Sequence, residues 1–302
     1  MKNRLRVGTR RSPLARVQTD SVLARIRREA PEWRLRIVPI DASGDRDRSV
    51  GSSPDFTDAL DRALLRGEID LAVHSAKDLP LVLDGGLEIL ACPRRADPRD
   101  GLVVGAPHGA SRLPRGARVG SSSLRRRAQL LRWRADLNVL EIRGNVDTRI
   151  GLVRAGAIDA AVLAVAGVSR LGRAGEIDRI LPPRAFLPAP AQGALAVVAR
   201  TGDASLGATV RRIDDPATHR CVTAERSFAA ALGGDCRVPL GALARLHDGT
   251  VSLVGEVLSP DGRKRLRRHA RGPGTSAAGV GSRLGRALLD QGAGDLLGPT
   301  RR

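Results

Sequence analysis

The 302-residue sequence predicts an α/β protein made of two similar lobes followed by a small C-terminal α+β domain. Three observations carry that expectation. Strand-like stretches echo one another in the same order along the chain, two Pro-rich connections separate the echoing halves, and the last third changes to hairpin-type strands with Asp-Gly turns. Arg6-Val7-Gly8-Thr9 returns as Arg118-Val119-Gly120-Ser121, residues 35–40 return as 137–142, and residues 67–73 as 156–162. The offsets are 112, 102 and 89, shrinking as shorter loops in the second copy require.

The elements follow from local pattern. Residues 5–8 are short and apolar, Thr9-Arg10-Arg11-Ser12-Pro13 supplies N-cap and first-turn residue types, and Leu14, Val17, Val22 and Ile26 recur at helical spacing until Pro31. Residues 35–40 alternate and are β-branched, and the polar, Gly-rich run 41–54 reads as a loop. A helix over 56–66 leads to a buried strand over 69–73. This strand spills into His74-Ser75-Ala76-Lys77-Asp78-Leu79-Pro80. Connections fall near 92–98 and 188–193, and the apolar run 194–199 is expected to return to the first lobe's sheet. From about residue 216 come a helix over 217–232, a Gly-rich loop with Cys236, and strands over 242–246, 251–258 and 264–270. A helix over 277–291 closes the chain. The expected domains are 1–93 with 194–212, then 99–188, then 216–302.

Composition narrows the function. No apolar run is long enough to cross a membrane, and no apolar signal core follows the basic start, so a cytoplasmic protein without a cleaved leader is expected. Cys92, Cys221 and Cys236 are odd in number and far apart, which argues against a disulfide framework and offers no metal-ligand spacing. A net charge of +19 points to polyanionic partners, whether nucleic acid, anionic membrane or a small polycarboxylate. With no Tyr and 2% aromatics, platforms for stacking bases are scarce.

Lys77 is one of only three lysines among 51 basic residues, and it sits beside Asp78 at the carboxyl end of a strand, where open α/β sheets bind ligands. The plain alternative is a solvated ion pair of small energetic worth. In Gly120-Ser121-Ser122-Ser123-Leu124-Arg125-Arg126-Arg127 a strand end meets a serine cluster and a first helical turn, and Arg143-Gly144-Asn145-Val146-Asp147-Thr148-Arg149 follows the next strand. Arg125, Arg126, Arg143 and Arg149 together suit a ligand with several carboxylates, against the alternative of a solvated basic face. Cys236 lies among glycines and beside Arg237, which favours thiolate, whereas a lone thiol is otherwise an inert core residue. His74 is equally consistent with packing.

Together the stretches VGTRRSPLA, VHSAKDLP, VGSSSLRRRAQL, IRGNVDTR, AVAGVSRLG, LPAPAQGALAV and AERSFAAALGGDCRVPLGA resemble the porphobilinogen deaminase (hydroxymethylbilane synthase) family, in the family's order and over nearly the whole chain. The resemblance implies two lobes of periplasmic-binding-protein type around a cleft and a third domain carrying the cysteine. It also implies condensation of four porphobilinogen molecules with release of ammonia, in haem biosynthesis. Position by position, Cys236 is similar to the residue that holds a dipyrromethane cofactor in thioether linkage. Asp78 is similar to the catalytic carboxylate, which would stabilise the cationic azafulvene formed as ammonia leaves. Lys77, Asp78, Ser123, Arg125 and Arg126 match positions that hold the cofactor, and Arg10, Ser12, Arg143, Arg149 and Arg170 match positions that hold substrate acetates and propionates.

The resemblance further implies a monomer without metal, nucleic-acid or membrane partners, and a possible hand-over of product to uroporphyrinogen-III synthase. Two departures stand out. Gly51-Ser52-Ser53-Pro54-Asp55-Phe56 is shorter than the family's loop and lacks its lysine, so an altered lid is expected, and Ala191 stands where the family has glycine. The rival functions are a slow or non-catalytic paralogue that binds polycarboxylates, and a nucleic-acid binder resting on charge alone.

Overall fold

A computed structural model describes residues 4–41, 57–105, 113–233 and 238–297. The chain begins β1 (Arg4–Arg10), α1 (Pro13–Glu29), β2 (Arg34–Ile40), α2 (Asp58–Leu65), β3 (Leu71–Ser75), a 3-10 turn (Ala76–Asp78) and β4 (Leu87–Ala91). It continues β5 (Asp100–Val104), β6 (Arg118–Gly120), α3 (Leu124–Trp133), β7 (Asn138–Leu140), α4 (Val146–Arg154), β8 (Ala160–Ala164), α5 (Val165–Arg170) and β9 (Arg179–Ile180). After β10 (Leu195–Arg200), α6 (Ala204–Val210) and α7 (Pro216–Ala231) come β11 (Leu240–His247), β12 (Thr250–Leu258), β13 (Arg265–Pro273), α8 (Ala277–Leu289) and α9 (Ala293–Leu297). Two compact units divide it: Met1–Ala96 with Ala194–His219, and Asp97–Gly193 with Arg220–Arg302.

In the first unit the sheet order is β2-β1-β3-β10-β4. β1 pairs in parallel with β2 and β3, and β10 runs antiparallel between β3 and β4, so the apolar run expected to return to this sheet does so. Its core gathers Leu5, Val7, Val22, Leu23, Ile26, Leu71 and Val197, which places the inward stripe of α1 against alternate residues of the strands. Ser12 caps α1 by accepting from the Ala15 amide, and Pro13 fills the first helical position, where a missing N–H costs nothing. The helix expected over 56–66 is the shorter α2, and residue 56 lies outside the described residues.

The second unit repeats that sheet and adds another. Its five-stranded sheet, β7-β6-β8-β5-β9, has the same sequence of parallel and antiparallel neighbours. The register reproduces the sequence echoes. Val7 pairs with Ile37 and Leu71, and Val119 pairs with Val139 and Ala160, at the three offsets read from the chain. A clasp repeats with them. The Arg6 amide and guanidinium both donate to Asp70, and those of Arg118 both donate to Asp159. Gly8 and Gly120 are likewise paired, since a Cβ on either would strike an isoleucine Cδ1, of Ile69 at 2.3 Å or Ile142 at 2.6 Å.

The remaining sheet is the antiparallel meander β11-β12-β13, in which β11 is longer at both ends, and β13 at its C-terminal end, than the sequence pattern delimits. Ladder hydrogen bonds carry pairing past the apolar stretch, which is why the arginine-rich ends are still strand. α7 and α8 cover its inner face, packed closely through small residues. A Cβ on Gly281 would lie 2.1 Å from the Ala224 carbonyl oxygen and 2.8 Å from the Phe228 nitrogen, both main-chain atoms that no rotamer change can move. Gly281→Ala is therefore expected to destabilise the protein by about 1–3 kcal/mol through overpacking, measured by urea unfolding. An unchanged midpoint would show that the two helices are not in van der Waals contact.

Candidate functional site

The first unit presents the turn that follows β3. His74 and Ser75 end the strand, and Ala76–Asp78 then form a single 3-10 turn anchored by the Ala76 amide donating to the Ala194 carbonyl at 3.0 Å. Ala76 and Leu79 are buried on either side, so the chain has little freedom at that point. Lys77 is half-buried and Asp78 exposed. The two are thus held differently, one partly desolvated cation and one carboxylate free to meet an incoming cation. Gln18, buried on α1, donates to Ser75 Oγ at 2.9 Å and ties the helix to the start of the turn. Arg10 and Ser12 stand at the end of β1 and the cap of α1, both half-buried.

His74 belongs to the interior. It is 5% exposed, and its Nε2 lies 3.9 Å from Asp61 Oδ1. Burial, with a smaller contribution from the Arg10 charge, pushes its pKa down to about 4. The ring is accordingly neutral in the folded protein at any pH above that.

In the second unit Ser123 caps α3 by accepting from the Arg126 amide. One turn inside, Arg125 and Arg126 do not point to solvent. Both are buried around Asp100, the first residue of β5 and itself wholly buried. Arg125 Nη1 donates to Asp100 Oδ2 at 2.7 Å, and Arg126 Nε and Nη2 donate to Oδ1 at 3.0 and 2.7 Å. Burial alone would raise the Asp100 pKa, but the two guanidinium groups outweigh it and hold the carboxyl well below the ordinary range.

Two glutamines extend this group. Gln192 donates to the Pro98 carbonyl and to Asp100 Oδ1, and Gln129 accepts from Arg125 while donating to the Leu187 carbonyl and to Glu256 Oε1.

The other arginines remain nearer solvent. Arg143 is half-buried and pairs with Glu141 at 2.6 Å, with its Nε buried and unbonded. Arg149 Nη2 donates to Ser122 Oγ at 3.2 Å. Arg170 donates to the Gly193 carbonyl, and burial alone lowers its pKa to about 10, with no carboxylate counteracting it. The set of four arginines that the sequence groups together is therefore divided: Arg125 and Arg126 around an internal aspartate, Arg143 and Arg149 at the surface of the same unit. Sequence reasoning omits Asp100, Gln129, Gln192 and Glu256. Gln129 had a signal in its i+4 spacing from Arg125, but the others meet the arginines only through the fold.

Cys236 and the shortened loop at 51–56 lie outside the described residues. Cys92 and Cys221 are buried free thiols. Ala191, where the resemblance expects glycine, has φ +60, the left-handed region that glycine occupies without strain. The buried Glu225 accepts its amide at 2.6 Å and so holds the strained residue in place. Among the described residues no group of three or more His, Cys, Asp or Glu is placed to hold a metal ion, and no helix is long and apolar enough to cross a membrane.

In this α/β protein the second unit carries buried guanidinium groups and the first a turn-mounted Lys-Asp pair, cationic side chains of the kind that bind carboxylates. The chain belongs to the porphobilinogen deaminase family. The family model described as "Porphobilinogen deaminase, dipyromethane cofactor binding domain" matches residues 5–208, and "Porphobilinogen deaminase, C-terminal domain" matches residues 219–290. The chain is 45% identical to the porphobilinogen deaminase of Stenotrophomonas maltophilia (strain K279a) over 298 residues, covering 97% of this chain and 98% of that one. It is 48% identical to that of Rubrobacter xylanophilus over 305 residues, covering 100% and 99%. Among solved structures a methionine-binding protein is similar at 13% identity and a TM-score of 0.47, with 76% of this chain and 94% of that one covered.

The pKa of His74 sets an expectation for stability. Between pH 6.5 and about 4 the unfolded chain protonates His74 and the folded protein does not, so stability is lost as pH falls through that window. The loss is on the order of 3 kcal/mol. Asp70, Asp97 and Asp100 have lowered pKa values and contribute only at still lower pH. Urea unfolding at pH 7 and pH 4.5 should therefore show a drop in the wild type that is largely absent in His74→Gln; equal drops would place the titrating group elsewhere.

Proposed function

We propose that this chain catalyses the stepwise head-to-tail condensation of four porphobilinogen molecules into hydroxymethylbilane, releasing ammonia, as a transferase of tetrapyrrole biosynthesis. The observation that carries the reading is the Asp78 carboxylate, exposed on a rigid turn next to a partly desolvated lysine, in a chain that matches the family over both of its domains. As ammonia leaves porphobilinogen, positive charge develops on the pyrrole. A fixed carboxylate beside it stabilises that charge without having to reorganise. Lys77 has the complementary task of holding a ligand carboxylate.

The residues present fit a dipyrromethane, whose acetate and propionate groups need cations. Lys77 is half-buried on its turn, Ser123, Arg125 and Arg126 gather at the start of α3, and Arg125 keeps a buried unbonded Nε. When bound, the cofactor supplies the primer to which porphobilinogen units are joined. Lys77, Ser123, Arg125 and Arg126 are assigned to the cofactor's carboxylates, Arg10, Ser12, Arg143, Arg149 and Arg170 to those of the substrate, and Cys236 to the thioether. The family resemblance supports these assignments, as it does a three-domain division at 1–93 with 194–212, 99–188 and 216–302. The proposal extends to a cytoplasmic monomer whose open-chain product passes to uroporphyrinogen-III synthase. A ligand that gains carboxylates with each added pyrrole also accounts for arginine at these positions without invoking nucleic acid. A non-catalytic polycarboxylate binder is not favoured, because the match covers the whole chain and not the lobes alone.

Intact-mass analysis of the purified protein should show an adduct of two condensed pyrroles that disappears in Cys236→Ala. An unmodified wild type that gains no mass and releases no ammonia with porphobilinogen would remove the proposal. For Asp78→Asn, the same fold by circular dichroism and a fall in kcat of at least about a hundredfold are expected, the loss of one charge-stabilising group; a near-normal rate would take Asp78 out of the mechanism.

A further inference from the structure

The buried arginines of α3 present a charge problem that Asp100 alone does not solve. Arg125 and Arg126 share one aspartate, so two buried positive charges have a single directly bonded carboxylate between them. A further carboxylate stands nearby: Glu256, on β12 and wholly buried, is paired with Arg267 through one oxygen, and its charge also favours the ionised form of Arg125. Glu256 does not touch Arg125. Gln129 stands between them, with Nε2 2.7 Å from Glu256 Oε1 and 2.9 Å from the Leu187 carbonyl, and Oε1 2.9 Å from Arg125 Nη1.

This arrangement has only one sense. A carboxylate and a carbonyl can only accept, so both force the NH2 end of the Gln129 amide toward themselves and turn its oxygen toward Arg125. Arg125 Nη1 is thereby fixed by three acceptors, Asp100, Gln129 and Leu187. The far oxygen of Glu256 is held by Arg267 Nη1 at 3.2 Å, which also donates to the Arg184 carbonyl. Orientation therefore runs from β13 through β12 to α3.

We propose that Glu256, acting through Gln129, is a positioning residue for the Arg125–Arg126 pair, and that it is needed for the protein to acquire its cofactor. The proposal rests on the reading above that this pair serves the dipyrromethane carboxylates. Glutamine at 256 can present either end of its amide and carries no charge, so Gln129 loses its fixed sense and the arginines lose a counter-charge. Aspartate keeps both properties with a shorter reach.

The test compares the fraction of purified chains carrying the two-pyrrole adduct, by intact mass, with Tm for wild type, Glu256→Gln, Glu256→Asp and the double variant Gln129→Met/Glu256→Leu. Glu256→Gln should lower the loaded fraction about tenfold, the worth of one charge-assisted hydrogen bond. Glu256→Asp should restore most of the loading at a similar Tm. The double variant replaces both partners with apolar groups of similar size, its Tm reads the cost of the lost charge to the fold, and loading should fall by more than that change in Tm accounts for. Full loading in Glu256→Gln or in the double variant would overturn the proposal, as would equal losses in Glu256→Gln and Glu256→Asp that merely follow Tm. A wild type without adduct or activity would instead overturn the enzymatic reading and this inference with it.

Discussion

Asp100 is the constraint around which the second unit is arranged. One carboxylate at the first residue of β5 receives two guanidinium groups from α3 and an amide from Gln192, all of them buried. Removing such a partner leaves an uncompensated buried charge, a loss of about 3–5 kcal/mol in comparable cases. The energetic benefit over an apolar core is small, but the geometric demand is large, because every donor and acceptor must be placed at once. The strand start, the helix and the segment 187–192 are therefore fixed together. The C-terminal meander joins them through Glu256.

Much of the fold can be read from the chain because it depends on periodicity and repetition. The offsets of 112, 102 and 89 reappear as strand register, and Ser12 with Pro13 marks the start of α1. Helix ends were less legible: α2 is shorter than its apolar pattern, and the arginine-rich ends of β13 are strand only because β12 offers ladder partners. The candidate site divides in the same way. Lys77 and Asp78 stand out from sequence by residue type and by their place after a strand. Asp100, in a charged connection, and Glu256, in an apolar strand, do not, because each gains its meaning from partners 25 and 127 residues away.

The arginines show how residue type and role separate. Arg125 and Arg126 are buried and share the Asp100 carboxylate, whereas Arg143, Arg149 and Arg170 stay nearer solvent. A buried pair holds its geometry in the absence of ligand, and a half-buried group can exchange water for a carboxylate.

The duplicated clasp has a historical meaning. Arg6–Asp70 and Arg118–Asp159 make the same amide and guanidinium contacts at equivalent points of two sheets, and glycines at equivalent points of both make room for isoleucines. Neither detail is demanded by ligand chemistry, since the two lobes carry different candidate residues. Tandem copying of one ancestral half, followed by divergence of the loops and retention of the framework, accounts for both. The C-terminal meander has no counterpart in that repeat, and Glu256 is where it is joined, through Gln129, to the second copy.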